Sequence, residues 1–156
     1  MFLDRDGVIN RKPADGEYIR NWKEFELIPT VVDWIRLFNS LGLLVIVVTN
    51  QRGVARGLIQ QTDLAEIHDR MIRELNQRGA HINDIFCCPH ENNACDCRKP
   101  KPGLVRQACQ KWDVDMSRSI LIGDSDADRQ LAEGCGLPFV QAREGRITAV
   151  CGLGVG

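Results

Sequence analysis

Carboxylate side chains follow apolar stretches at distant points of the chain. Asp4 and Asp6 come directly after the apolar pair 2–3, and Asp124 follows a later apolar stretch. Residues two apart in extended backbone point the same way, so Asp4 and Asp6 can face one site while Arg5 turns away. Carboxylates gathered in one place repel each other unless a cation joins them. Their hard oxygen atoms suit Mg²⁺, an ion that favours substrate phosphates. The pattern therefore predicts a magnesium site that takes a phosphate ester.

Cysteine and histidine are concentrated in the segment 88–97. Cys88-x-His90 and Cys95-x-Cys97 offer three thiolates and one imidazole, a donor set that suits tetrahedral Zn²⁺. Four protein ligands leave no open position on the metal, so the ion would be structural. The spacing within each pair is tighter than in common zinc knuckles, and the alternative is a loop of reduced, inert thiols.

Alternating strand and helix patterns must position these groups. Continuous apolar runs predict strands that are buried on both faces, as in a parallel sheet. The predicted strands cover 2–3, 43–48, 85–88, 119–123 and 137–140, with helices between them, the first two capped by Thr30 and Thr62. Ligands of such α/β folds bind beyond the carboxyl ends of the strands, where Asp4, Thr49 and Asp124 stand.

The composition is that of one ordinary domain spanning residues 1–156. Hydrophobic residues make up 44% and the net charge is −1, which excludes a largely disordered chain and argues against a nucleic-acid partner. No apolar run approaches the roughly 18 residues of a membrane span, and no signal peptide is visible. We therefore expect a cytoplasmic protein with neither nucleic acid nor membrane as a partner. As a separate expectation, we take the protein to be a monomer.

Five sequence strings carry a family resemblance. They are FLDRDGVIN (2–10), TNQRGVARG (49–57), CPH (88–90), CDCRKPKPG (95–103) and IGDSDAD (122–128). In this order they resemble the phosphatases of the haloacid dehalogenase (HAD) superfamily, and more narrowly the D-glycero-D-manno-heptose 1,7-bisphosphate 7-phosphatases and the histidinol-phosphate phosphatases. The resemblance implies a Rossmann-like three-layer fold with a central parallel sheet, no cap domain and a zinc-binding loop.

The resemblance also implies a mechanism. Asp4 would attack phosphorus and form an aspartyl-phosphate, and Asp6 would act as general acid and then general base. Mg²⁺ would be held by the Asp4 carboxylate, the Asp6 backbone carbonyl and Asp124. Thr49 and Lys99 would bind the phosphoryl oxygens.

Substrate recognition is expected to come from loops, because no large cap can be inserted. By resemblance, Asn50, Gln51, Arg52 and Arg98 would contact a sugar phosphate, which makes the C7 phosphate of heptose 1,7-bisphosphate the first choice of substrate. Histidinol phosphate is the nearest alternative, and a polynucleotide 3′-phosphate is a more distant one. A non-enzymatic, zinc-stabilised binding module is the alternative of a different class.

Other polar residues are expected to have no part in the chemistry. Lys12 fits a solvated surface lysine, and Asp126 and Asp128 fit acids of a first helical turn, although Asp128 could support the site. His68 fits the boundary of an apolar helix face. The glycine-rich tail 152–156 is expected to fray. Because the predicted first strand is so short, either the chain starts upstream or neighbouring strands hold Asp4 in place.

Overall fold

The computed structural model describes residues 1–151, and of these the side chains of Ala149 and Cys151 are left out of the description. The described residues form one six-stranded sheet in the order β3-β2-β1-β4-β5-β6. Its strands are β1 (Phe2–Leu3), β2 (Ile46–Asn50), β3 (Asp84–Cys88), β4 (Leu121–Gly123), β5 (Phe139–Arg143) and β6 (Arg146–Cys151). The α-helices are α1 (Pro29–Ser40), α2 (Gln61–Gln77), α3 (Gly103–Lys111) and α4 (Asp126–Gly134), and short 3-10 helices cover Trp22–Glu24 and Met116–Arg118.

Apolar residues of the sheet alternate between two separate cores. Leu3 and Val47 pack in one core with residues of α1 and α2, whereas Phe2 and Val48 pack in the other with residues of α3 and α4. Because adjacent residues of a strand point to opposite faces, buried strands of this kind need apolar side chains at every position. The helices on both faces and the mostly parallel sheet confirm the predicted three-layer α/β fold.

The first strand is short but central. Phe2 and Leu3 pair in parallel with β2 on one side and with β4 on the other. The backbone N–H of Asp4 then donates to the carbonyl of Ile122 at 2.9 Å. Neighbouring strands therefore hold Asp4 in place at the carboxyl edge of the sheet.

Both helix caps expected from the sequence are wrong. The helix α1 begins at Pro29, whose fixed φ suits a first helical position, and the Thr30 hydroxyl donates instead to the carbonyl of Gly145 at 3.0 Å. Thr62 lies inside α2, whose N-cap is Gln60 and has no side-chain capping bond. In both cases the helix begins one residue before the threonine, which therefore lies inside the helix and not at its cap.

The last strand of the sheet is absent from the sequence prediction. β6 pairs antiparallel with β5 through a turn at Glu144 and Gly145, both of which have positive φ. This hairpin turns at Glu144-Gly145 and lacks the Asn-Gly or Asp-Gly pair that marks many hairpins, so it was not predicted. The tail 152–156 lies outside the described residues. None of the described helices is long and apolar enough to cross a membrane.

Candidate active site

The carboxyl ends of β1, β2 and β4 surround one open cavity. Its volume is about 280 Å³, and its lining includes Asp4, Asp6, Asn50, Arg52, Arg98, Lys99 and Asp124 together with the loop 12–18. The structure thus brings to one cavity most of the side chains that the sequence selected, although they are up to 120 positions apart in the chain. Thr49 and Gln51 are buried beside it.

Lys99 lies between two carboxylates beneath the cavity. Its ammonium donates to Asp4 Oδ1 at 2.7 Å, to Asp128 Oδ1 at 2.6 Å and to the Val48 carbonyl at 2.9 Å. Burial and the charge of Asp128 raise the pKa of Asp4 to about 7, against the opposing effect of Lys99. Burial lowers the pKa of Lys99, but the charges of Asp128 and Asp4 outweigh it and leave the pKa raised. Lys99 therefore stays protonated next to Asp4.

Asp128 lies in the first turn of α4, as predicted, but it does more than an ordinary first-turn acid. It is fully buried, and it also caps α4 through Ser125. The ion pair with Lys99 makes it a support for the cavity, as the sequence left open. Asp126, in contrast, is exposed and lies near Arg129. A Cβ atom at Gly123 would collide with the Asp128 side chain, so this glycine allows the close approach of strand and helix.

Asp124 completes a group of three carboxylates. One oxygen each of Asp4, Asp124 and Asp128 lies within 4.8 Å of the others. Burial raises the pKa of Asp124, although the ammonium of Lys12 opposes it from 2.7 Å. Gly7, with φ +87°, has no room for a Cβ atom because Asp124 lies against it. A clustered set of carboxylate oxygens beside an open cavity fits a hard divalent cation such as Mg²⁺.

Lys12 is exposed, as the sequence predicted, but it is also paired with Asp124 and so is not simply solvated. Lys12 belongs to the loop that lines the cavity, and about half of its side chain is exposed. Nothing in the local sequence marks it, because Asp124 lies more than one hundred residues away in the chain.

Three residues donate hydrogen bonds to the Asp6 carboxylate. Arg5 donates from Nε at 3.0 Å and from a terminal nitrogen at 2.8 and 3.0 Å, Asn10 at 2.9 Å and Gln51 at 2.8 Å. Burial alone would raise the pKa of Asp6, but the charge of Arg5 and these hydrogen bonds outweigh it and lower the pKa. Asp6 is therefore an ionised carboxylate that is held in one position. Its side chain is not part of the cluster formed by Asp4, Asp124 and Asp128.

Arg5 is the functional neighbour that sequence reasoning missed. Arg5 is not among the residues that line the cavity, as predicted, but it is completely buried and forms an ion pair with Asp6 that the sequence did not predict. His68 of α2 lies on its far side, with 3.1 Å between Arg5 and His68 Nε2. The available signal was an arginine that lies between two carboxylates just after an apolar strand, where a buried charge needs a buried partner.

The end of β2 supplies hydrogen bonds in two directions. The Asn50 amide exchanges two bonds with the backbone of Lys99, at 3.0 and 3.1 Å. The Gln51 amide donates to Asp6 and, at 2.9 Å, to the hydroxyl of Thr49. In this structure both amides therefore fix other site residues, and Asn50 also reaches the cavity lining.

Two arginines bring positive charge to the cavity wall. Arg52 pairs with Glu91 at 3.2 Å and lies 3.3 Å from the Tyr18 hydroxyl. One terminal nitrogen of Arg98 is buried and has no hydrogen-bond partner among the described residues. A buried donor without a partner costs free energy, and the Arg98 side chain also forms part of the cavity lining.

The predicted cysteine cluster forms at the end of β3. The sulfur atoms of Cys88 and Cys95 are 3.5 Å apart, those of Cys95 and Cys97 are 3.3 Å apart, and His90 Nδ1 lies 3.6 Å from Cys88 and 3.2 Å from Cys97. Tetrahedral ligands around Zn²⁺ at about 2.0–2.3 Å are separated by roughly 3.5–3.8 Å. The four donor atoms therefore fit one zinc ion with only small movements.

Comparisons with known proteins agree with this geometry. Residues 1–144 match the family model described as polynucleotide kinase 3 phosphatase. The chain is 40% identical over 145 residues to the D-glycero-beta-D-manno-heptose-1,7-bisphosphate 7-phosphatase of Rhodopseudomonas palustris, covering 88% of this chain and 79% of that protein. It is 40% identical over 134 residues to the corresponding alpha-heptose enzyme of Mycobacterium bovis, covering 85% and 70%.

Two solved structures are also similar. The D,D-heptose 1,7-bisphosphate phosphatase of B. bronchiseptica, complexed with magnesium and phosphate, has a TM-score of 0.84 and 37% identity, covering 94% of this chain and 82% of that one. A structure from Mesorhizobium loti described as a HAD-like phosphatase has a TM-score of 0.79 and 32% identity, covering 87% and 68%.

Fold, cavity and relatives together define a phosphatase of the HAD superfamily. This confirms the class expected from the five sequence strings. Within that class, the chain belongs to the family that contains the D-glycero-D-manno-heptose-1,7-bisphosphate 7-phosphatases.

Proposed function

We propose that this protein is a Mg²⁺-dependent phosphomonoester hydrolase that removes the C7 phosphate of D-glycero-D-manno-heptose 1,7-bisphosphate. The observation that carries the proposal is the Asp4 carboxylate, held at the cavity by Lys99 at 2.7 Å and adjoining the oxygens of Asp124. The relatives named for this substrate support the choice of sugar. Both anomers occur among those names, so the proposal covers the sugar and the phosphate position only.

In the proposed reaction, Asp4 is the nucleophile. A carboxylate oxygen of Asp4 forms a bond to phosphorus while the bond from phosphorus to the C7 oxygen breaks, which leaves an aspartyl-phosphate. Asp4, Asp124 and the Asp6 backbone carbonyl would hold Mg²⁺, which lowers the repulsion between carboxylate and phosphate. Lys99 adds a fixed positive charge, and the Thr49 hydroxyl lies at the end of the adjoining strand.

Asp6 is proposed to move the protons. It would donate one to the departing C7 oxygen and then take one from the water that hydrolyses the aspartyl-phosphate. Its lowered pKa favours the base form, which suits the second step directly. For the first step, the negative charge of the bound phosphate must raise the pKa of Asp6 again, as a nearby like charge does.

The arginines of the cavity wall are proposed to recognise the rest of the substrate. Arg52 and Arg98 can donate pairs of hydrogen bonds to a second phosphate or to sugar hydroxyls. The unpartnered nitrogen of Arg98 supports this role. Asn50 and Gln51 are proposed to shape the same site, with Gln51 acting through Asp6.

We further propose that Cys88, His90, Cys95 and Cys97 hold a structural Zn²⁺. The inter-ligand distances and the free state of the described cysteines support this assignment. Thiolate ligands persist in a reducing compartment, which supports the cytoplasmic location expected from the sequence. We expect the protein to act as a monomer on a small sugar phosphate.

The test is phosphate release from heptose 1,7-bisphosphate by the purified protein with Mg²⁺. We expect Asp4→Asn to lower the rate by at least about a thousandfold, because the nucleophile is removed. Asp33→Asn, which changes an exposed acid of α1, is the matched control and should retain the wild-type rate.

The same assay separates the alternatives. Equal rates for wild type and Asp4→Asn would exclude the proposed enzyme and favour a zinc-stabilised binding module. Faster release from histidinol phosphate would replace the heptose substrate. Faster release from a 3′-phosphorylated oligonucleotide would favour the activity for which the matching family model is described, which the net charge of −1 argues against.

A further inference from the structure

The guanidinium of Arg5 links the cavity to the helix α2. It has no solvent exposure, and three of its hydrogen bonds go to the two oxygens of Asp6. Arg5 is thus a forked donor that fixes both the position and the rotation of the Asp6 carboxylate. The contacts from Asn10 and Gln51 add to this restraint, but neither spans both oxygens.

His68 accepts a hydrogen bond from the other side of Arg5. A guanidinium can only donate, so at 3.1 Å the His68 Nε2 atom must be the acceptor. The ring must then be neutral and carry its proton on Nδ1. Burial and the positive charge of Arg5 agree with this state, since together they lower the pKa of His68 to about 3.

We propose that Arg5 and His68 are a positioning pair for Asp6. His68 fixes the terminal nitrogen of Arg5 that faces away from Asp6, and Arg5 in turn holds the Asp6 carboxyl group toward the cavity. This inference rests on the proposed function, in which Asp6 gives a proton to the departing oxygen as the bond from phosphorus to oxygen breaks. Without the acceptor, a buried N–H group of Arg5 loses its partner, and the guanidinium must turn to find another.

The test compares two leaving groups. The C7 oxygen of heptose 1,7-bisphosphate needs a proton as it departs, whereas the phenolate of p-nitrophenyl phosphate does not. We expect His68→Leu to lower kcat/KM for the heptose substrate by about tenfold or more, since general acid catalysis contributes about 10²–10⁴. The kcat/KM for p-nitrophenyl phosphate should fall by less than about threefold, because departure of the phenolate does not use the Asp6 proton.

Two further variants distinguish a positioning role of His68 from a general destabilisation of the fold. His68→Gln places an amide oxygen where Nε2 stands and should restore the wild-type ratio of the two kcat/KM values. Met71→Ala removes a buried side chain one turn further along α2, and it should lower both values by the same factor. Nitrogen-15 NMR of the wild-type imidazole should show a proton on Nδ1 and an acceptor at Nε2.

Each outcome bears on the inference. Equal losses for the two substrates in His68→Leu, selective loss in Met71→Ala, or a protonated Nε2 would overturn it while leaving the proposed function intact. If His68→Leu does not fold, the ratio in His68→Gln and the NMR tautomer decide. A wild-type protein without turnover of either substrate would overturn the proposed function, and the inference with it.

Discussion

At the scale of single residues, the site is built from charged side chains that are buried and paired with one another. Lys99 is almost fully buried, and it is paired with two carboxylates rather than one. A buried charge that loses a partner is strongly destabilising, so Asp4, Lys99 and Asp128 depend on each other. With two negative charges and one positive, the trio retains a net attraction for a further cation.

Asp128→Asn should reveal this dependence. The variant keeps an oxygen that can accept from Lys99 but removes a charge, so Lys99 should hold Asp4 less firmly. We expect kcat to fall by at least about tenfold, and the free energy of unfolding to fall by about 3 kcal/mol, near the lower end for a broken buried ion pair. Steady-state kinetics and urea unfolding measure the two effects.

Asp126→Asn is the matched control, since Asp126 lies on the same helix turn and is exposed. It should change the unfolding free energy by no more than about 0.5 kcal/mol. Comparable losses in both variants would contradict the assigned support role of Asp128.

Single residues also show what sequence alone could predict. Asp4 and Asp124 were predicted from their places at strand ends, whereas Lys99 was predicted only because its string resembles that of the family. The contacts of Arg5, His68 and Lys12 were not found, because each depends on a partner from a distant element. Local patterns report which face of an element is apolar, but they do not report which polar groups meet inside the fold.

At the scale of elements, loops at the carboxyl edge carry the charged groups. The loop after β3 places Arg98 and Lys99 directly after the ligand Cys97 of the predicted zinc site. The loop after β1 brings Lys12 over Asp124. Asp4 and Asp124 stand at strand ends, whereas Lys12, Arg98 and Lys99 stand in loops, so restraint of these loops should control activity.

His90→Gln should remove the metal from the cysteine loop. His90 is exposed, so the substitution itself disturbs little packing, and we expect bound zinc to fall from about one ion per chain to well below half. The melting temperature should fall by at least about 4 °C, which corresponds to about 2 kcal/mol in a protein of this size. Metal analysis and thermal unfolding are the measurements.

His81→Gln changes another exposed histidine, which lies outside the cluster, and should leave zinc content and melting temperature unchanged. A wild-type protein without zinc after metal-free purification would refute the structural-zinc proposal. A His90→Gln protein that retains its zinc would remove His90 from the ligand set.

Lys12→Met should tighten the binding of Mg²⁺. The Lys12 ammonium occupies Asp124 Oδ2 and must leave it when a metal ion binds there. Because such a half-exposed pair contributes about 0.2–1 kcal/mol, we expect a decrease of about 1.4- to fivefold in the Mg²⁺ dissociation constant. Titration calorimetry on metal-free protein measures this change, and Lys23→Met provides the control on an exposed lysine of the 3-10 helix Trp22–Glu24. Weaker binding in Lys12→Met would show that Lys12 assists the metal instead.

At the scale of the whole molecule, sheet order explains why the site lies where it does. β1 is central, and its neighbours β2 and β4 end at the same edge, so the three strands deliver Asp4, Thr49 and Asp124 to one place. Buried apolar runs made this part of the fold predictable. β6 could not be predicted in the same way, because it is an antiparallel edge strand with exposed apolar residues such as Ile147.

The neutral state of His68 should affect the stability of the whole molecule in acid. Its folded-state pKa of about 3 lies below the unfolded value near 6.5, so protonation favours the unfolded chain as the pH falls through 6.5. The stability that the neutral imidazole contributes to the folded state is fully present above pH 6.5 and is lost as the pH falls below it. Between about pH 7.5 and 5, wild type should lose about 2 kcal/mol more unfolding free energy than His68→Gln. Urea unfolding at both pH values measures the difference, and parallel losses would contradict a buried neutral imidazole.

The central position of a two-residue strand has a consequence for cooperativity. Asp4 owes its place to partners more than forty and more than one hundred residues away, and Lys99 arrives from a separate loop. No half of the chain can assemble the reactive geometry, since each half lacks a wall of the cleft. Turnover should therefore disappear together with global structure in denaturant, which would make enzymatic activity a direct readout of folding for the entire polypeptide.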